Sequence, residues 1–102
     1  MTKYDVFLLT FDTTQMSREA VIDVVDHVDE VVNWYAFLPG AVCLVSDLST
    51  ADLSRAIRSR LPDLRFLLVR LEKGQRQGWL PRSAWRFIND PRRSDKIDTA
   101  AE

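Results

Sequence analysis

The chain has 102 residues, a net charge of −1, 46% hydrophobic and 28% charged residues, one cysteine and one histidine. These values fit one globular domain and exclude a disulfide framework, a zinc site built from cysteines and a metal site built on several imidazoles. The opening MTKYDVFLLTFD is too short and too interrupted by Asp5 and Asp12 for a signal peptide or membrane span, so a cytoplasmic protein without a membrane partner is expected.

Lys3 to Phe11 reads as a first strand, with Tyr4, Val6 and Leu8 on one face and Phe7, Leu9 and Phe11 on the other. Asp12-Thr13-Thr14 breaks that pattern. Ser17 suits a helix N-cap and Glu19 its first turn; Ala20, Val21, Val24, Val25 and Val28 then form one apolar stripe, predicting a helix over roughly Arg18 to Val28. Valine is a mediocre helix former, so packing must hold this helix.

Val31 to Asp47 is the centre of the pattern. Val31, Val32, Trp34, Tyr35 and Phe37 precede Pro39-Gly40, and Val42, Cys43, Leu44 and Val45 follow it. Aromatic and β-branched runs around a turn dipeptide predict a β-hairpin, with Gly40 free to take a positive φ. Ser49 then caps a second helix, with Asp52 at the third helical position and Leu48 and Leu53 as a hydrophobic staple. Leu53, Ala56, Ile57 and Leu61 face inward, Arg55 and Arg58 outward, and Pro62 ends the helix. Leu64 to Leu71 reads as a fourth strand. The order βαββαβ predicts an α+β, ferredoxin-like two-layer sandwich with an antiparallel sheet.

Residues 72–78 form a polar, glycine-bounded loop, and Pro81 to Ile88 reads as a short C-terminal helix. Trp79, Trp85 and Phe87 are expected to dock on the domain or on a partner. Residues 1–90 should form the single domain, and 91–102, with Ile97 as the one branched aliphatic residue, a disordered tail. Helices on one sheet face leave the other apolar face in need of cover. A second copy or the C-terminal segment would supply it, and a homodimer is expected.

Charge is uneven along the chain. Residues 1–51 carry two basic against eight acidic side chains, and 52–102 carry twelve against seven; ten of the eleven arginines lie from Arg55 onward. Arginine's planar fork suits phosphate, so Arg55, Arg58, Arg82 and Arg86 are candidate nucleic-acid contacts, against the plainer reading of solvated helix faces. Trp34 and Tyr35 fit either base stacking or burial at an interface.

No phosphate loop, paired-cysteine motif or nucleophile elbow occurs. His27, four residues after Asp23, reads as a surface or interface side chain, and Cys43 as a small hydrophobe. Asp12 alone carries a catalytic mechanism. Ending the first strand, it offers a carboxylate to Mg²⁺ or Mn²⁺, with Thr13 and Thr14 as further oxygens; the plainer alternative is an Asx turn.

The βαββαβ order, Asp12 at the end of strand one, the Trp34-Tyr35 strand, the Ser49-Thr50-Ala51-Asp52-Leu53 helix start and the closing Gly78-Trp79-Leu80-Pro81 with Trp85 carry a resemblance. Over about Lys3 to Asn89 the chain resembles short bacterial proteins described as SinR-like, which are similar in turn to the CRISPR-associated Cas-two family. That resemblance implies a ferredoxin-like homodimer that binds RNA or DNA, with metal-dependent nuclease activity at the strand-one Asp in some members; here that is Asp12. Where a fifth strand would cross to the partner, this chain has the helical Pro81–Ile88 segment. The competing expectation is a non-catalytic ferredoxin-like module that binds a protein or small ligand.

Overall fold

The structure, a computed structural model, describes residues 3–91. Strands β1 (Asp5–Phe11), β2 (Asn33–Leu38), β3 (Ala41–Ser46) and β4 (Phe66–Arg70) form one open sheet of order β2-β3-β1-β4, every neighbouring pair antiparallel. It follows that β1 runs parallel to β2 with β3 between them, and β3 parallel to β4 with β1 between them. The two crossovers are helix α1 (Arg18–Asp26) and helix α2 (Thr50–Arg60). The tail expected beyond residue 91 lies outside the described residues.

The period-two reading of β1 appears directly in the two cores. Phe7 and Leu9 join Val42 and Leu44 of β3, Leu68 of β4, Val21 and Val25 of α1, and Leu53 and Ile57 of α2. Val6 joins Cys43 and Val45 on the opposite face. A sheet apolar on both faces must be covered on both. The second cover comes from helix α3 (Arg82–Asn89), whose Ile88 is buried among Val6, Cys43 and Val45, with Trp85 and Phe87 packed beside it. The C-terminal segment therefore supplies at least part of the lid that the sequence called for.

Both crossover helices start at serine caps. Ser17 Oγ accepts from the Ala20 amide at 3.2 Å, and Ser49 Oγ from the Asp52 amide at 3.1 Å, each satisfying a donor that the first helical turn leaves open. Helix α1 stops at Asp26, two residues short of the span read from its valines. His27 is its C-cap, and Nδ1 lies 2.7 Å from the Asp23 carbonyl. Val28 is buried in the core just past the helix end, which explains why the apolar spacing outran the helix.

Two further expectations change. Gly40 does not use a positive φ; among the described residues Gly74, at φ 81°, alone does. A Cβ at Gly40 would meet Thr13 Cγ2 at 3.4 Å, an ordinary van der Waals contact. Trp79, expected to dock on the domain or on a partner, is 98% exposed on the domain itself.

Candidate functional site

Asp12 leaves β1 where the chain turns toward α1. Its Oδ1 accepts from the Thr14 amide at 2.9 Å and the Thr14 hydroxyl at 2.6 Å, and its amide donates to the Arg65 carbonyl at 3.0 Å. This is the Asx-turn alternative, with the carboxylate closing its own loop. The Thr14 hydroxyl, then the Thr14 amide, hold the Asp12 carboxyl below the usual carboxylate range, and nearby Arg65 acts in the same direction. A lowered folded pKa means that the turn contributes stability above the ordinary carboxylate pKa and loses it as pH falls through the folded value. Among the described residues no group of three or more His, Cys, Asp or Glu side chains is arranged to hold a metal ion.

The four candidate arginines do not form one patch. Arg55 and Arg58 project from α2 on one side of the sheet, and Arg82 and Arg86 from α3 on the other. All four are exposed. Arg55 is paired with Asp52, one turn earlier on α2. Among the described residues Arg58, Arg82 and Arg86 make no ion pair, which leaves their guanidinium groups available to an anion.

Trp34 and Tyr35 are consecutive in β2 and face opposite sides. Trp34 packs on the α1 side, where Nε1 donates to Asp26 Oδ1 at 2.8 Å. Tyr35 turns toward α3, with edge-to-face contacts to Phe37 (centroids 5.7 Å) and Phe87 (5.5 Å), and its hydroxyl lies 2.7 Å from Ser83 Oγ. Asn33, Trp34, Tyr35, Ser83, Arg86, Phe87 and Asp90 line a cleft of about 570 Å³ between β2 and α3. Aromatic edges, a hydroxyl pair, the Asp90 carboxylate and a guanidinium that makes no ion pair among the described residues converge there. The sequence marks Phe87 as a docking residue but links neither it nor Ser83 to Tyr35, because only the return of α3 across the sheet brings them there.

A second, more apolar groove of about 430 Å³ lies under the 72–80 loop, between Leu8, Phe37 and Cys43 on the sheet and Trp79, Leu80 and Trp85 above. Arg76 holds this layer together. Its Nη2 donates to the Leu71 carbonyl at 2.6 Å, and its Nη1 to the Ile88 carbonyl and Asn89 Oδ1, both at 3.1 Å, tying β4's exit to the end of α3. A cation at a helix C-terminus satisfies open carbonyls and complements the dipole. Burial pushes the Cys43 thiol up to about 12, so it is an inert side chain rather than a nucleophile.

No protein-family model, curated protein or solved structure matched this chain. No helix among the described residues is long and apolar enough to cross a membrane.

Proposed function

We propose that this chain is a ferredoxin-like, homodimeric binding module for single-stranded nucleic acid, seated in the cleft between β2 and α3. The observation that carries the reading is the meeting of Tyr35 and Phe87 with Arg86 in one open cleft, since aromatic rings and guanidinium groups are the sequence-tolerant contacts of single-strand binding. The sheet order and the two interlocked crossovers support the ferredoxin-like assignment. Asp12 at the end of β1 supports the kinship with Cas-two-like proteins.

Titration of a labelled oligonucleotide at several salt concentrations tests the binding. The log–log slope should be near −0.7 per phosphate contact on single strands. Replacing Arg82 and Arg86 with alanine should flatten it by about one to two units, whereas replacing Arg55 and Arg58, behind the sheet, should leave it unchanged. Equal loss from both pairs would sink the cleft, and no binding at low salt would leave a protein- or small-ligand module as the better account.

Cleavage is a separate question. With Oδ1 held by Thr14, Asp12 offers Oδ2 to a Mg²⁺ or Mn²⁺ whose other ligands would be water and phosphate. Nuclease action at this residue requires Mn²⁺-dependent hydrolysis that Asp12→Asn abolishes while leaving binding intact. Hydrolysis that survives the substitution would place the chemistry elsewhere.

A further inference from the structure

The sheet has two edges, β2 and β4. Strand β2 carries a register shift between Tyr35 and Leu38 and lies against α3, two features that blunt an edge. Strand β4 has no such shift, and the helix beside it, α2, packs on the sheet face where Leu68 is buried. The strand pairs with β1 in unbroken register from Phe66 to Arg70, contains no proline, glycine or lysine, and leaves Leu67 62% and Val69 39% exposed.

The register fixes which backbone groups point outward. The Asp12 amide bonds to the Arg65 carbonyl and the Leu71 amide to the Val6 carbonyl, so Arg65 and Leu71 turn their backbone groups toward β1. By alternation Leu67 and Val69 do the same, while Phe66, Leu68 and Arg70 direct theirs away from the sheet. Among the described residues no backbone partner meets them there.

We propose that β4 is a dimerisation edge: two copies of this chain join their β4 strands antiparallel about a two-fold axis at Leu68, making one eight-stranded sheet. This rests on the homodimer reading above and names its surface. The register follows from the outward groups. Centred on Leu68, Phe66 meets Arg70 of the second copy and Leu68 meets its own equivalent, so all three outward residues exchange bonds, about six in total. A two-fold centred on Leu67 or Val69 sets one of the three against a residue outside the strand. An odd offset sets outward groups against inward ones.

Side chains agree with that choice. Leu67 becomes the close, non-hydrogen-bonded neighbour of Val69 in the second copy, which removes both exposed apolar side chains from water. Arg70, already balanced by Asp5 at 3.9 Å and Glu72 at 2.5 Å, comes beside the Phe66 ring of the second copy. Beyond the strand ends, exposed Asp63 approaches exposed Lys73, opposite in charge. The Val69-centred register would bring Arg65 against Lys73. The β2–α3 clefts lie at the far edges and stay open.

Sedimentation combined with hydrogen exchange tests this. Wild type should sediment at about twice 11.8 kDa, with the Phe66, Leu68 and Arg70 amides protected at least about a hundredfold. Leu67→Lys with Val69→Lys should give a folded monomer in which those three amides exchange freely. A monomeric wild type would overturn both the dimer and this edge. A dimer whose three amides exchange freely would overturn the edge alone, as would a double variant that stays dimeric. Should the lysine variant fail to fold, mixing Leu67→Cys with Val69→Cys protein should yield a disulfide-linked heterodimer, because the paired Cα atoms would lie about 4.5 Å apart. Cys43, buried, will not compete. No cross-link would overturn the pairing.

Discussion

Replacing Phe7 with alanine is expected to cost about 3–5 kcal/mol, the range for truncating a large aromatic side chain in a closed core. Phe7 is fully buried and sits in the cluster that α1, α2 and three strands share. Its strand is paired on both sides in unbroken register, to β3 and to β4, so the surrounding backbone has little freedom to collapse into the cavity. A domain of this size has a total stability of about 5–15 kcal/mol, and such a loss removes about a fifth of it or more. The urea midpoint should fall steeply with an unchanged slope. A shift below 1 kcal/mol would mean that the first core is not the foundation of the fold.

Trp85→Ala should cost about 3 kcal/mol, the low end of the same range, because Trp85 is only partly buried. The damage should have a different character. Trp85 belongs to the layer formed by α3, which covers the sheet from one side and holds its end through Arg76. Loss of the indole should release α3 before the rest unfolds, so the near-ultraviolet signal of Tyr35, whose ring meets Phe87 of α3, should change ahead of the helical signal from α1 and α2. Coincident transitions, at an unchanged midpoint, would show that the segment contributes nothing to the fold.

The sequence was informative where local chemistry decides. Alternation in Tyr4 to Phe11 assigned each side chain of β1 to its correct core, and the Ser49, Asp52, Leu48 and Leu53 arrangement marked the start of α2 within a residue. What the sequence could not convey was which surfaces meet. The apolar run Phe66 to Val69 suggests burial on both faces, but as an edge strand β4 keeps Leu67 and Val69 in water. Arginines close in sequence terms, on α2 and α3, ended on opposite sides because the chain crosses the sheet edge between them. The cleft at Tyr35 was invisible for the same reason: its partners Ser83 and Phe87 are 48 and 52 positions downstream, with no periodic signal linking them. Asp12 was found by its place at a strand end, and its turn-closing bond to Thr14 is a local device that sequence alone leaves open.

The position of Cys43 turns the second core into something that can be timed. It is fully buried beneath the α3 layer, in the same cluster as Ile88, and its thiol stays protonated while the layer is closed. A thiol reagent can therefore reach it only during moments when α3 or the 72–80 loop above it lifts, and the sequence supplies no other cysteine to confuse the signal. When opening is fast and modification slow, the observed rate equals the rate for a free thiol scaled by the fraction of time spent open. Each tenfold slowing then reads as about 1.4 kcal/mol of closure. The chain thus carries its own one-residue clock for the breathing of its lid, readable by mass without any engineered label.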